Sequence, residues 1–163
     1  MEKIAEFIML VGLPGSGKST YIRKYLADNP DKDYAVISSD DIIEEKCVAE
    51  GLTYSEGFEK FIGFAGAEMK RRAKAAVVAK RNIVWDQTNM TAKSRRSKMD
   101  MAKGYEFHCV VFSLMDDELF RRLKHRAETT GKNIPGFVIK NMANSYQSPE
   151  KSEGFKSIKV IRS

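Results

Sequence analysis

The sequence predicts an α/β protein in which a central parallel sheet is covered by helices on both faces. Three observations carry this. Short, nearly unbroken apolar runs recur along the chain, as buried parallel strands require. Between them lie longer stretches whose apolar residues repeat at helical spacing. Strands alternate with helices throughout, the order that specifies a parallel sheet with crossover helices. At 163 residues, 42% hydrophobic and 31% charged, residues 1–163 are expected to form one compact domain with its own core.

The first strand is Phe7 to Val11, which ends at a glycine. Tyr21, Ile22, Tyr25 and Leu26 then mark a helix that Asn29-Pro30 stops. Tyr34 to Ser38 reads as the second strand, and a shorter helix from about Asp40 to Glu50 ends at Gly51. Phe58, Phe61, Ile62, Ala65, Met69, Ala73, Ala76 and Val77 follow an i, i+3, i+4 stripe. That stripe predicts a long amphipathic helix with its aromatic residues in the core. Asn82 to Asp86 is the third strand, Thr91 to Lys103 a helix, and Phe107 to Phe112 the fourth strand. Asp116 to Thr129 reads as a strongly basic helix. Pro135 suits the first turn of another, with Val138, Met142 and Tyr146 on one face, before Ser148-Pro149 ends it. Ile158 to Ile161 reads as a closing strand.

Gly12-Leu13-Pro14-Gly15-Ser16-Gly17-Lys18-Ser19 matches G-x-x-x-x-G-K-[ST], and it lies between a predicted strand and a predicted helix. Glycines let successive backbone N–H groups turn inward around an anion, and the helix N-terminus adds its positive end. Lys18 reaches the β and γ phosphates, and Thr20 completes the binding segment. Ser19 offers a hydroxyl to magnesium, which keeps waters and phosphate oxygens as its other ligands. ATP and Mg2+ are the expected cofactors. A second magnesium-side carboxylate in such proteins comes from the end of a neighbouring apolar strand; Asp86 is placed for it, or for capping the following turn.

The order of these features resembles the kinase domain of the 5′-hydroxyl polynucleotide kinase family over nearly the whole chain. The resemblance is carried by the phosphate loop, Asp40-Asp41 after strand two, Asp86-Gln87-Thr88-Asn89 after strand three, the basic helix around Arg126, and Ser152-Glu153-Gly154-Phe155. It implies a P-loop NTPase fold of the kinase type with a basic helical lid. It further implies that Asp40 is the general base for the attacking hydroxyl, although the same residue is also placed to cap the helix that follows it. Arg126 takes the position of the lid arginine, with Arg122 one turn earlier as the alternate nucleotide contact. Asp40, Thr88, Asn89 and Arg95 are the expected acceptor contacts. Other basic residues open to that role are Arg96, Lys98 and the cluster from Lys70 to Arg81.

Two departures bear on the acceptor. The family's Asn-Arg before the base is Ser38-Ser39 here, and an arginine of phage members is Ile43. The D-x-D-G-T phosphatase motif does not occur in the sequence, so no 3′-phosphatase activity is expected from these residues.

Arg81 to Asn89 is also similar to the P-loop domain of the heterogeneous nuclear ribonucleoprotein U family, which is RNA-binding and regulatory; that pattern lacks a carboxylate where Asp40 stands. Small-molecule, nucleoside and zeta-toxin-like kinases share the scaffold, because the loop reads the donor and not the acceptor. The net charge of +6 and a pI near 9.3 lean toward a polyanionic acceptor such as a nucleic-acid 5′ end. Cys47 and Cys109 have neither disulfide nor zinc spacing, so a reducing, cytoplasmic setting is expected, and no apolar run is long enough for a membrane span.

Overall fold

The computed structural model describes residues 3–113, 125 and 136–162. The basic stretch containing Arg122 and Arg126, together with Pro135, lies outside the described residues. Five strands form one sheet: β1 (Glu6–Val11), β2 (Tyr34–Ile37), β3 (Asn82–Asp86), β4 (Glu106–Ser113) and β5 (Phe155–Arg162). Their order is β2-β3-β1-β4-β5, and every neighbouring pair is parallel. The described helices are α1 (Lys18–Asp28), α2 (Ser39–Glu50), α3 (Tyr54–Val78), α4 (Ala92–Met99) and α5 (Gly136–Ser145).

The unbroken apolar run of β1 is explained by burial on both faces. Phe7, Met9 and Val11 point into one core with Ile42, Ile43, Phe61, Ala65, Met69 and Trp85. Ile8 and Leu10 point into the other with Ile22, Tyr34, Val84 and Val110. Phe7 lies at the centre of the first, its ring 5.9 Å from Trp85 and 5.3 Å from Phe107.

Four elements differ from the sequence reading. Helix α3 is 25 residues long and begins at Tyr54, not near Phe58. Its start is set by a capping box, in which Thr53 accepts from the Glu56 N–H while Glu56 accepts from the Thr53 N–H. Its core face runs through Gly57, Phe61, Ala65, Met69, Ala73 and Ala76, while Phe58 and Ile62 are each 40% exposed. Second, Ser38 caps α2: its Oγ accepts from the Asp41 N–H at 3.3 Å, so Asp40 is not the cap. Third, α5 buries Ile139, and Tyr146 lies beyond its end and 40% exposed. The closing strand is also longer than Ile158 to Ile161, because Gly154, at φ 116°, turns the chain directly into Phe155.

In a parallel sheet all strands deliver their carboxyl ends to one rim, and ligands collect there where the strand order reverses. Here β1 is that point, because β2 and β3 lie to one side of it and β4 and β5 to the other. The helix α3 runs back against strand direction, so Tyr54 to Ile62 reach the carboxyl rim. Lys80 and Arg81, just beyond its other end, border a small cavity with Lys3, Ile4 and Asn82 at the opposite rim.

Candidate active site

A cleft of about 1580 Å3 opens on the carboxyl rim. Its described lining runs from Pro14 to Ile22 and adds Ser38 to Asp41, Asp86 to Asn89, the first two turns of α3, and Ser94 and Lys98 of α4. That volume exceeds the ~300–1,000 Å3 of an ordinary small-molecule site.

The phosphate loop joins β1 to α1 with Gly15 at φ 80° and Gly17 at φ 100°, backbone that only glycine adopts without strain. Gly12 is constrained differently. A Cβ there would stand 2.7 Å from Ser16 Oγ and 3.0 Å from the Phe112 Cβ, so the loop passes too close to β4 for a side chain. Lys18 is nearly buried and its Nζ donates to the carbonyls of Gly12 at 2.8 Å and Leu13 at 2.9 Å. Ser16 Oγ is buried and finds no hydrogen-bond partner among the described residues. A buried orphan of that kind inside a ring of amides is the mark of a site shaped for an anion with acceptor oxygens.

Asp86 reaches this loop through the register of β1 with β3, where Leu10 pairs with Asp86. Its carboxylate accepts from Ser19 Oγ at 3.4 Å. Burial raises the Asp86 pKa, and Asp41 and Asp40 add to the rise, while Lys18 and Ser19 act against it. A hydroxyl beside a carboxylate that burial disfavours as a bare anion is a donor set suited to a hard divalent cation. Ser19 and Asp86 therefore fit magnesium.

Asp40 lies in the first turn of α2, exposed, with Oδ1 accepting from the Tyr54 hydroxyl at 2.5 Å. The start of α2 is held to the end of β3 by Gln87. Its Nε2 donates to Ser39 Oγ at 3.0 Å, and its Oε1 accepts from Trp85 Nε1 at 2.9 Å. Asp40, Asp86 and the loop therefore share one cleft by way of two strand ends and one clamp. The Thr88 carbonyl accepts from the Gly12 N–H at 3.1 Å and anchors the loop's start.

Asn89 is a strut. With φ of 50°, it donates from Nδ2 to the Leu10 carbonyl at 2.7 Å and accepts from Lys98 Nζ. Burial, followed by the nearby Arg95, lowers the Lys98 pKa to about 8.

Arg95 corrects the sequence reading. It is fully buried, bonded through Nε and Nη2 to Glu153 at 2.8 and 3.2 Å and through Nη1 to the Asn89 carbonyl at 2.9 Å. Its charge is consumed inside the protein, so it holds no acceptor phosphate. Arg71 and Arg72 pair with Glu68 and Glu45, and Arg81 pairs with Asp33. With Lys80 and Arg81 at the far rim, the Lys70 to Arg81 cluster is no wall of the cleft. Of the basic residues considered for the acceptor, Lys98 is the one among the described residues that lines it. Tyr54 escaped the sequence reading altogether, although Thr53-Tyr54-Ser55-Glu56 spells the helix start at which it sits.

A strand, an amide-lined glycine loop, a helix that begins at the loop lysine and a carboxylate on the adjacent strand define a P-loop nucleotide-binding protein of the kinase type. The profile of a family described as an AAA domain matches residues 7–149, and the chain belongs to that family. It is 28% identical over 151 residues to the heterogeneous nuclear ribonucleoprotein U-like protein 2 of Mus musculus, covering 91% of this chain and 20% of that protein. It is 24% identical over 166 residues to the bifunctional polynucleotide phosphatase/kinase of Schizosaccharomyces pombe, covering 96% of this chain and 33% of that protein. The chain thus spans about a fifth to a third of these relatives. Among solved structures it is similar to one from the PezAT toxin–antitoxin system of Streptococcus pneumoniae, with a TM-score of 0.73 and 16% identity over 99% of this chain and 68% of the other, a likeness of fold. Among the described residues no helix is long and apolar enough to cross a membrane, and Cys47 and Cys109 are free and buried.

Proposed function

We propose that the chain is an ATP-dependent kinase that transfers the γ-phosphoryl group to a 5′-hydroxyl of DNA or RNA. The observation that carries this reading is an exposed carboxylate, Asp40, tied by Tyr54 to the wall of the same cleft whose floor is the phosphate loop and Asp86. In the proposed reaction the loop amides and the Ser16 hydroxyl hold the phosphates, and Lys18 exchanges its two loop carbonyls for phosphate oxygens. Asp40 accepts the proton of the 5′-hydroxyl as that oxygen bonds to the γ phosphorus. The bond from phosphorus to the bridging oxygen breaks and ADP leaves with the electron pair. Ser19 and Asp86 would hold magnesium, which would supply charge neutralisation at the phosphate oxygens. Arg126, or Arg122 one turn earlier, is proposed as the lid cation on the equatorial oxygens. Catalysis is then mainly positioning and electrostatics. The proposed setting is cytoplasmic, in keeping with two reduced, buried cysteines.

Incubation with γ-labelled ATP and a 5′-hydroxyl oligonucleotide tests the reading. Label is expected on the oligonucleotide, and Asp40→Asn is expected to reduce the rate by about 10²–10⁴, as loss of a general base does, with ATP binding retained by calorimetry. Label appearing only on nucleosides or sugars would overturn the acceptor assignment and favour a small-molecule kinase. The likeness to a ribonucleoprotein supports a second reading, a nucleotide-dependent RNA-binding module; ATP and RNA binding without any transfer would establish it.

A further inference from the structure

The first turns of α3 present to the cleft a face that, among the described residues, lies largely outside the core: Tyr54 packs against the core's edge, while Phe58 and Ile62 stand clear of it. Tyr54, Phe58 and Ile62 recur every four residues, so they stack along one side of the helix, and all three line the cleft. Phe58 and Ile62 remain 40% exposed, whereas Phe61 and Ala65, their neighbours around the helix, are buried. The Tyr54 and Phe58 rings lie 5.8 Å apart at a tilt of 46°, so their faces join into one aromatic surface. That surface ends at the proposed base, because the Tyr54 hydroxyl donates to Asp40. A group whose hydroxyl is held at Asp40 therefore has aromatic and apolar side chains beside it.

We propose that Tyr54, Phe58 and Ile62 form the seat of the acceptor's terminal nucleobase, which stacks on Phe58 while its own 5′-hydroxyl meets Asp40. This rests on the kinase reading above and deepens it to how the acceptor is chosen. A sugar or other polyol would bring hydroxyls to a face of rings and methyl groups whose polar neighbours, Ser55 and Glu59, lie at its flanks, so hydroxyls over the face itself would go unpaired. A nucleobase brings a flat π-face that such a wall matches. All four bases carry that face, so the seat selects for a base and scarcely among bases. Within it, Tyr54 is also a positioning residue, since its hydroxyl orients the Asp40 carboxylate.

The experiment uses the full chain, magnesium-ATP and two 5′-hydroxyl oligonucleotides that differ only in whether the terminal nucleotide carries a base or is abasic. For the unaltered protein, the abasic end is expected to raise the acceptor KM roughly 5- to 150-fold, the range that base–aromatic stacking commands. Phe58→Ala is expected to raise KM for the base-bearing end by a similar factor and to bring the ratio of the two acceptors close to one. Phe58→Leu keeps apolar bulk but removes the ring, and is expected to lose most of the discrimination as well; its retention would overturn stacking. Tyr54→Phe keeps the ring and removes the hydroxyl, so kcat falls while the acceptor KM holds; the opposite split would overturn the positioning role. Equal use of base-bearing and abasic ends by the unaltered protein would overturn the seat while leaving the kinase reading intact. Phosphorylation of small hydroxyl compounds with no oligonucleotide turnover would overturn both.

Discussion

Replacing Glu153 by alanine strands a cation inside the protein. Arg95 has no exposed surface, and Glu153 takes two of its nitrogens in a paired contact at 2.8 and 3.2 Å. The Asn89 carbonyl remains as a partner, but it carries no charge. Removing one member of a buried pair costs about 3–5 kcal/mol, most of it the desolvation of the ion left behind. For a chain of 163 residues that corresponds to a fall in Tm of roughly 6–20 °C, at about 2–4 °C per kcal/mol. Urea and thermal unfolding report it directly, read through the fluorescence of the sole tryptophan, Trp85, which is buried in the core. The apolar double replacement Arg95→Met with Glu153→Leu is expected to recover most of the loss, because it leaves no charge to desolvate. The pH dependence has a definite sign. Burial pushes the Glu153 carboxyl up, but Arg95 and the Glu150 N–H outweigh it and hold the group below its ordinary range. A carboxylate depressed on folding stabilises above its unfolded pKa, about 4.3, and that contribution is lost as pH falls through the folded value. The difference between the two proteins should therefore narrow below about pH 4. A loss under about 1 kcal/mol at pH 7, or a gap unchanged down to pH 3, would refute the account of Arg95 as a buried, paired cation.

Further outcomes follow from other parts of the fold. Gly57→Ala would set a Cβ 2.3 Å from Cys47 Sγ where α3 crosses α2, so overpacking of about 1–3 kcal/mol is expected to exceed the helix-propensity gain of about 1 kcal/mol. Gly63→Ala, on the same helix with no atom within 4 Å of the new Cβ, is expected to raise stability instead; a common direction for the two would contradict the packing. Lys18→Ala should weaken Mg-ATP binding by about 10- to 150-fold, the range of one charge-assisted hydrogen bond, and titration calorimetry would detect unchanged affinity as a failure. The Cys109 thiol, pushed up to about 12 by burial, should ignore thiol reagents at pH 8 until the protein unfolds, as should buried Cys47.

The strands and the phosphate loop were legible because their signals are local: an apolar run, a glycine spacing, a lysine at fixed offset. Asp86 was legible for the same reason, as the carboxylate ending such a run. What sequence concealed is what depends on distant partners. Arg95 reads from sequence as an acceptor contact, since its partner Glu153 lies 58 residues along the chain. Phe58 and Ile62 satisfied a helical stripe, but the stripe is broader than the core, and only tertiary packing chose Phe61 and Ala65 for the inside. Asp40 lost the capping role to Ser38, two residues earlier, a shift within the usual uncertainty of a helix end. The order of strands has no periodic signature, and the placement of Tyr54 and Arg81 at opposite rims comes from the 25 residues of α3 running back against the strands.

The lysine at the heart of the loop has acceptors within the loop itself, the carbonyls of Gly12 and Leu13. These contacts tie the side chain across the glycine arch and brace its shape. A visitor then meets a finished receptacle and pays little to organise it, which favours rapid capture. It must also outbid those two carbonyls, so weakly charged visitors that cannot do so gain no foothold on the ammonium group.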